Sequence, residues 1–327
     1  ARAAASAPTV QATGRRTVFV TTCMTGILRT GSRSGYAPGV PFRRLFGSSE
    51  PPDGAVQCSR AAPSDRSAVL ASVLGATPAA GPAFQRRAAE QGLDLTLLWA
   101  LHTDGRLEGG ALLIPHPGRT GLLMATAPRD IGHARRVGQL VALALRESVA
   151  VPTIRLVQAL SSPGETLRAA AWTAGGLRHL ASLDYMERPL ATEAPVARLP
   201  SGISLLPWPP TDRKGLERLL SETYEETLDC PGLAEMRAPE DIVDGHLAAG
   251  EHDPRLWTIA VRDGRPVGAL LLSPSAATDS VEIVYLGLVQ SERGKGLGRA
   301  MLSHGIGLAA DRKSTRLNSS HEWISRM

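Results

Sequence analysis

The stretch Arg293-Gly294-Lys295-Gly296-Leu297-Gly298 decides the fold. It follows an apolar segment that predicts a strand over 281–289, and it opens an apolar-periodic segment that predicts a helix near 298–310. Glycines let a backbone approach an anion closely, and the N–H groups and dipole at a helix start favour negative charge. The stretch is neither a Walker A loop nor a GxGxxG motif. It predicts a phosphate-binding loop between a strand and a helix.

The chain also contains an internal repeat. Leu98-Trp99-Ala100 is followed by Asp104-Gly105-Arg106, and Leu256-Trp257-Thr258 is followed by Asp263-Gly264-Arg265. Asp-Gly between two apolar runs predicts a hairpin. Each copy therefore indicates a strand, two helices, a hairpin, a further strand and a helix.

The two copies differ in length. The spacing between equivalent residues grows from 147 at Asp65 and Asp212 to 158 at Trp99 and Trp257. The second copy therefore holds 11 extra residues between these points, which we expect around residues 229–231. Insertions of this kind form surface loops, and loops often carry binding residues.

The composition excludes several classes of protein. The chain has 327 residues, of which 43% are hydrophobic and 20% charged, so it can build cores and is expected to form about two domains at ~150 residues each. Its three cysteines are far apart, which argues against a disulfide framework or a cysteine-rich zinc site and is typical of a reducing cytoplasm. No apolar run reaches the ~18 residues of a membrane-spanning helix.

The positive charge of the chain lies at its ends. The net charge is +6 over residues 1–60 and +3 over 312–327, which leaves −4 for residues 61–311 out of a total of +5. Nucleic-acid-binding domains concentrate basic residues on one folded face. The charge distribution therefore argues against a nucleic-acid partner.

Both ends are expected to lie outside the folded repeat. Residues 1–54 are rich in Arg, Gly, Ser, Thr and Pro, which predicts a disordered or spurious leader. Residues 312–327 are polar, lack a strand period and resemble translated sequencing-adaptor DNA, so we expect an artefactual or disordered tail that forms no strand. The predicted domains are 55–195 and 196–311, the second truncated after its third helix.

The pattern Arg-x-x-Gly-x-Gly after a strand, present as Arg293, Gly296 and Gly298, resembles the acetyl-CoA loop of the GNAT N-acetyltransferase superfamily. Two copies in one chain resemble the tandem-GNAT architecture of mycothiol synthase-like proteins. The resemblance covers about residues 55–311, with the loop in the second copy. It implies an α/β fold of two tandem GNAT-like domains, each a mixed central sheet flanked by helices.

The resemblance also implies how acetyl-CoA is bound. Backbone groups of Leu288 and Val289 would hold the pantetheine arm. Backbone N–H groups from Gly294 to Arg299 would hold the pyrophosphate. That run includes Lys295, Gly296, Leu297 and Gly298 and follows Arg293 of the motif.

Glu282 is the catalytic candidate. It lies eleven residues before Arg293, the spacing at which histone-acetylating members of the family have a glutamate that acts as general base. An ammonium must lose a proton before it attacks a thioester, and a partly desolvated carboxylate can accept that proton. The alternative is that Glu282 is an ordinary solvent-facing strand residue.

The remaining candidates rest on weaker signals. Asp229 and Cys230 would line the acceptor pocket or form a rigid turn, and Tyr285 would face the acceptor or pack on the sheet. His246 and His252 lack metal-ligand spacing and are expected to be surface or packing residues, so no metal is predicted.

The first copy departs from the motif. Its equivalent stretch, residues 128–133, has no Arg-x-x-Gly-x-Gly, and its strand over 121–125 carries no carboxylate. We expect it to be a structural or substrate-shaping partner. The second copy is expected to lack the fifth strand and fourth helix, which often supply a tyrosine acid in the family.

These observations predict an N-acyltransferase that moves an acetyl group from acetyl-CoA to a primary amine of a small molecule or peptide, without a metal, a nucleic acid or a membrane. The alternative is a non-catalytic acyl-CoA-binding or scaffold protein of the same fold. The fold and the loop are shared across many acceptors, so the acceptor is not readable from them.

Overall fold

The computed structural model divides into two compact units. The first unit contains the described residues from Thr17 to Leu180, and the second contains those from Ala181 onward together with residues 11–16. The described residues are 11–22, 55–90, 92–190, 195–227, 230–234, 236–275, 279–312, 314 and 316–322, with the backbone alone described at 11–22, 231, 234 and 319–322.

The first unit is a mixed sheet flanked by helices. Its strands are β1 (Gln11–Thr22), β2 (Val56–Arg60), β3 (Leu98–Thr103), β4 (Arg106–His116), β5 (Thr120–Ala125) and β6 (Leu156–Ser161). Its helices are α1 (Arg66–Val73), α2 (Ala80–Glu90), α3 (Ile131–Ser148) and α4 (Thr166–Ala174). The strand order is β2-β3-β4-β5-β6-β1. Every neighbouring pair is antiparallel except β5–β6, which is parallel.

Helices cover both faces of this sheet. On one face, Leu98 of β3 belongs to a buried cluster with residues of α1. On the other face, Trp99 of the same strand belongs to a second cluster with residues of α3 and α4. Successive strand residues point to opposite faces, so a strand covered on both faces is apolar throughout. This explains the continuous apolar run around Trp99, which is fully buried as expected from its matched position in the repeat.

The second unit repeats this plan. Its strands are β7 (Arg178–Pro189), β8 (Ile203–Pro207), β9 (Trp257–Arg262), β10 (Arg265–Ser275), β11 (Ser280–Leu288) and β12 (Arg316–Glu322). Its helices are α5 (Arg213–Tyr224), α6 (Pro231–Ala234), α7 (Pro239–Leu247) and α8 (Leu297–Asp311). The strand order is β7-β12-β11-β10-β9-β8. The β11–β12 pair is parallel, and the other neighbouring pairs are antiparallel.

One buried cluster forms the core of the second unit. It joins Leu216 and Leu220 of α5 to Leu270 of β10, Val281 of β11 and Met301 of α8. The predicted fold class of two GNAT-like domains is confirmed. Each unit has its hairpin, β3–β4 or β9–β10, where the Asp-Gly pair predicts one. No helix within the described residues combines the length and apolarity that crossing a membrane requires.

Two of the predicted boundaries need correction. The first unit ends at residue 180 instead of 195, because β7 belongs to the second unit from Ala181 onward. The leader was expected to be disordered, yet residues 11–22 form β1, in which Thr17–Thr22 pair antiparallel with β6. Backbone pairing needs no apolar periodicity, which explains why this strand was not predicted. The rest of the leader, 1–10 and 23–54, lies outside the described residues.

The expectation for the C-terminal tail was also wrong in structural terms. Residues 316–322 form β12, a strand after α8, which pairs with β11 on one side and β7 on the other. Leu317 is 5% exposed and belongs to the core. The prediction assumed that a strand at this position needs a run of apolar residues. Strand β12 instead has one buried side chain and backbone pairing along both edges. The adaptor-like origin of the segment stays a prediction.

Candidate functional site

Strands β11 and β12 begin side by side and then separate. Their parallel pairing runs from Ser280 opposite Arg316 to Ile283 opposite Ser319, and residues 284–288 do not continue it. On its other edge, β11 stays paired with β10 as far as Leu288. The last part of β11 therefore has one backbone edge with no described strand paired to it.

The backbone groups of Leu286 and Leu288 face this unpaired edge. The Val289 N–H donates to the Val267 C=O at 3.0 Å, and Leu288 lies opposite Gly268. In an antiparallel ladder, this arrangement makes Leu288 and Gly268 a pair without mutual hydrogen bonds. The N–H and C=O of Leu288, and by alternation those of Leu286, therefore point away from β10.

The backbone groups of Val289, a predicted cofactor-binding residue, are bound within the protein. Its N–H is bound to Val267, and its C=O accepts from the Glu292 N–H at 3.0 Å. Both backbone groups thus serve the turn that follows β11, which makes them poor candidates for holding a pantetheine arm. At Leu288 the C=O accepts from the Arg293 side chain at 3.1 Å. Sequence reasoning therefore missed Leu286, whose two backbone groups face the open edge.

The loop between β11 and α8 presents backbone N–H groups. Gly294 and Gly296 have φ angles of +74° and +83°, and a Cβ built on either glycine meets no atom within 4 Å. Gly296 is the N-cap of α8, and no side chain hydrogen-bonds to this end of the helix. The N–H groups of the first helical turn, from Leu297 onward, have no acceptor within the helix. These features fit an anion such as a pyrophosphate.

An ion pair anchors this loop to the sheet. Glu292 is 4% exposed, and its carboxylate accepts from Arg262 Nε at 3.0 Å and Nη2 at 2.9 Å. Lys295 Nζ lies 3.5 Å from the same carboxylate. Hydrogen bonding from Arg262 is the largest cause that lowers the pKa of Glu292. The negative charge of Glu292 is thus balanced by Arg262 and Lys295, so it opposes an anion at this loop less strongly.

The Arg293 guanidinium, a predicted cofactor-binding group, is bound to backbone carbonyls of the protein. It donates to the C=O groups of Thr223, Glu225 and Glu226 at 2.9, 2.7 and 2.8 Å, in addition to that of Leu288. The first three carbonyls lie at the end of α5. The side chain therefore fastens the loop to α5 and is not directed at a bound ligand. Lys295 and Arg299 are the exposed cations on the loop itself.

Glu282 and Tyr285 lie on one face of the sheet. Glu282 is opposite Ser273 and Tyr285 is opposite Leu271, with the register shifting between these pairs because Val284 is an extra residue. Residues 271 and 273 share a face of β10, so their partners on β11 also share it. Ser273 Oγ donates to the C=O of Glu251 at 3.1 Å, which identifies this as the face next to the chain that follows α7.

The environment of Glu282 suits a general base. The side chain is exposed, so an acceptor can reach it, and it has no hydrogen bond or ion pair with any described residue. Partial desolvation by the surrounding protein raises the pKa of its carboxyl. A raised pKa makes the carboxylate a better proton acceptor near neutral pH.

Tyr285 lies at the centre of a polar and aromatic cluster on the same face. Its hydroxyl is 2.6 Å from Thr223 Oγ1, and its ring centroid lies 5.4 Å from that of Tyr224 and 5.3 Å from that of His246. Its ring also covers Gly287, where a Cβ would collide with it. Tyr285 is therefore packed in place, with Glu282 three residues away.

The other acceptor-site candidates are not brought to this cluster by the described contacts. Asp229 lies outside the described residues. Cys230 is half-buried just before α6, with a φ of +49°, which agrees with the turn interpretation. The His252 ring lies 4.6 Å from that of Trp257 and is a packing residue. The described residues contain no group of His, Cys, Asp and Glu side chains that could hold a metal ion.

Comparison with known proteins explains this geometry. The family model described as "Acetyltransferase (GNAT) family" matches residues 216–322. This segment is thus similar to that family over less than half of the chain. The match includes most of α5, the splayed strands, the glycine loop and β12. No curated protein sequence matches the chain.

Solved structures were also found to be similar, one of them with a similar fold over most of the chain. A GCN5-related N-acetyltransferase from Sphaerobacter thermophilus is similar over 83% of this chain and 88% of its own, with 19% identity and a TM-score of 0.57. A glucosamine N-acetyltransferase region of a fungal β-N-acetylglucosaminidase is similar over 82% of this chain and 35% of its own, with 14% identity and a TM-score of 0.49. A tandem GNAT protein from the clavulanic acid biosynthesis pathway is similar over 81% and 89%, with 16% identity and a TM-score of 0.42.

A second residue of this GNAT domain also escaped sequence reasoning. Arg237 lies between α6 and α7, and its charge helps to lower the pKa of His246. The signal that pointed to this region was the length difference between the copies, since the extra residues fall around 229–231, close before Arg237. A length difference locates an insertion but does not say which of its side chains turns inward.

Proposed function

We propose that the chain is an N-acetyltransferase that transfers an acetyl group from acetyl-CoA to a primary amine, and that its second unit binds the donor. The single observation that carries the proposal is that two features occur together. Strands β11 and β12 splay apart, and the N-terminus of α8 has a glycine N-cap with no side-chain cap. Both features lie within the segment that matches the GNAT family.

Two sets of backbone groups would hold the donor. The N–H of Leu288 and the N–H and C=O of Leu286 face the open edge, where they can pair with the amide groups of a pantetheine arm. The N–H groups between Gly294 and Arg299 face the space beyond the helix start, where the helix dipole favours a pyrophosphate. Lys295 and Arg299 add positive charge there.

Glu282 would supply the base. Bound acetyl-CoA supplies a thioester carbonyl that an amine can attack. The Glu282 carboxylate accepts the proton that the acceptor ammonium must lose, directly or through a water. Its exposure and its raised pKa support this role. The proton needed by the departing thiolate comes from a group that we do not assign.

The first unit would not bind the donor. Its equivalent helix, α3, begins at Asp130, whose carboxylate accepts the His133 N–H at 2.7 Å. This carboxylate takes the place that a phosphate oxygen would occupy at the start of α8. The first unit then serves as a structural or substrate-shaping partner.

Hydrogen exchange of the intact chain with and without CoA tests where the donor binds. We expect CoA to slow exchange of amides between residues 286 and 300 and to leave those between 124 and 134 unchanged. Protection confined to the first unit would refute the assignment. Acetyl-CoA-dependent acetylation of an amine, followed as release of the CoA thiol, separates an enzyme from a protein that binds CoA without catalysis.

A further inference from the structure

A half-buried cation, Arg237, lies near Tyr224 and His246, whose rings contact Tyr285. Arg237 Nη2 donates to the backbone C=O of Asp241 at 2.8 Å. Its Nε is buried and has no hydrogen-bond partner. No carboxylate side chain within the described residues forms an ion pair with it, although the Asp241 carboxyl is near enough to stabilise its charge. A guanidinium has five N–H donors, and the structure shows one hydrogen bond from Arg237 to a described residue.

The buried Nε of Arg237 would gain a partner from a bound anion. Burial lowers the pKa of Arg237 against the opposing effects of Tyr224 and Asp241. A buried charge is stable when an anion pairs with it and its donors are satisfied. A planar carboxylate matches the fork of a guanidinium.

His246 adds a second unsatisfied group at the same place. Its Nε2 is buried and has no partner. Burial, followed by the charge of Arg237, lowers its pKa to about 4, so the ring is neutral at pH 7. One guanidinium beside a neutral imidazole carries a single positive charge, which suits a monoanion better than a phosphate dianion.

The cluster is connected to the proposed catalytic residue through Tyr285. The rings of His246 and Tyr224 both contact the Tyr285 ring, at 5.3 and 5.4 Å between centroids. Glu282 lies three residues along the same face of β11, which corresponds to about 10 Å at ~3.3 Å per residue. An acceptor amine at Glu282 and an anionic group at Arg237 can therefore belong to one small molecule.

We propose that the acceptor carries a carboxylate as well as its amine, and that Arg237, assisted by His246, binds this carboxylate on the Tyr285 side of Glu282. The proposal rests on the proposed acetyl transfer and narrows its acceptor to amino acids, related amino acids with a longer spacer, or short peptides with a free C-terminus.

Binding of acetylated products tests this inference without requiring turnover. The probes are N-acetylglycine, N-acetyl-β-alanine, 4-acetamidobutyrate and N-acetylglycylglycine, each compared with its carboxamide, on the intact chain saturated with CoA. We expect at least one acid to bind ten-fold or more tightly than its carboxamide. Equal affinity within every pair, including no binding by any probe, would overturn the proposal, as would a preference for acetylated aminomethylphosphonate over every acid.

Variants of Arg237 test whether this residue binds the carboxylate of the acid. Arg237→Gln should weaken binding of the preferred acid at least ten-fold and leave its carboxamide unchanged, whereas Arg237→Lys should keep part of the preference. The matched control is Arg255→Gln, since Arg255 is an arginine of the same unit whose side chain is 83% exposed, and it should change neither affinity. An acid preference that survives Arg237→Gln would overturn the assignment.

Two further measurements keep the outcomes separate. In the Arg237→Gln variant the pKa of His246 should rise above about 4, because a positive charge is lost, and this signal also reports that the cluster is folded. CoA binding is measured on the same samples. Failure to bind CoA would refute the proposed function, while CoA binding without discrimination between acids and carboxamides would refute this inference alone.

Discussion

The two units share a strand–loop–helix element but differ in what occupies the start of the helix. In the first unit, the Asp130 carboxylate caps α3 by accepting the His133 N–H. In the second unit, Gly296 caps α8 without a side chain. The same helix position thus has a carboxylate cap in one unit and no side-chain cap in the other.

A second carboxylate strengthens the difference. Glu108 of the first unit accepts from Arg129 Nη2 at 2.6 Å and Arg136 Nε at 2.9 Å, so the two arginines near the start of α3 are already paired. Although burial acts to raise the pKa of Glu108, hydrogen bonds from Thr103 and Arg129 and the charges of both arginines lower it overall. The carboxylate is therefore ionised at neutral pH and would repel a phosphate.

The splayed strands, in contrast, are present in both units. The parallel pairing of β5 with β6 covers residues 120–122 and 156–158 and does not continue to the end of β5. The splay is therefore a property of the fold, while the loop chemistry is a property of each copy. The comparison shows that one fold can keep its architecture while the residues at the start of the helix change.

The largest expected effect comes from placing a carboxylate at the N-cap of α8, as the first unit has at the N-cap of α3. Gly296→Asp should weaken CoA binding roughly 1,000-fold, because two charges 4 Å apart at an effective dielectric of 20 interact by about 4 kcal/mol. Titration calorimetry measures this loss. Gly264→Asp is the matched control, since Gly264 has a φ of +79° and open space around its Cβ in the β9–β10 hairpin. Equal losses in the two variants would mean that strain, and not charge, is responsible.

The next effect concerns Glu282 on β11, which has no carboxylate counterpart on β5 of the first unit. Glu282→Gln should lower kcat/KM by ~100-fold at neutral pH and leave CoA affinity unchanged, as expected for removal of a general base. Desolvation raises the pKa of Glu282, so the acid limb of the kcat/KM profile should lie above the ordinary glutamate range near ~4.3. The rate falls as pH drops through this pKa because protonated Glu282 accepts no proton. A profile that keeps the same limb in the variant would remove Glu282 from the mechanism.

A smaller effect is expected from loosening the loop without changing its glycines. Arg293→Gln removes the hydrogen bonds that fasten the loop to the backbone of α5. CoA binding should weaken about ten-fold, because part of the binding energy is then used to order the loop. Hydrogen exchange should also become faster at the end of α5. Unchanged CoA affinity together with faster exchange would show that the loop holds its shape without Arg293.

The large features of the fold were predictable because each has a local sequence signal. The hairpins follow from Asp-Gly between apolar runs, and the glycine loop follows from a strand, glycines and a helix in order. Strand β12 was not predictable, because its stability comes from backbone pairing with β7 and β11, which are distant in sequence. A strand held in this way needs only one buried side chain, Leu317.

The site was predictable in part for the same reason. Glu282 and the glycine loop were identified from their spacing within one segment. The backbone orientation of Leu286 depends on the register between β11 and β10. This register cannot be predicted from the residue types of β11. Arg237 is linked to Tyr285 through His246 of α7, whose ring contacts the Tyr285 ring of β11. The Arg293 side chain is directed by carbonyls at the end of α5. These contacts join segments that sequence reasoning treats separately.

The smallest effect is expected from the reverse change in the first unit. Asp130→Ala removes the only side-chain cap described at the start of α3, which should cost about 1 kcal/mol of local stability. This loss appears as roughly five-fold faster hydrogen exchange in the first turns of α3. CoA affinity should stay within two-fold, because Glu108 remains and residues 128–133 still lack the Arg-x-x-Gly-x-Gly pattern. A gain of CoA protection in this region would show that Asp130 alone keeps the first unit from binding, and that the two units differ by one residue and not by a whole loop.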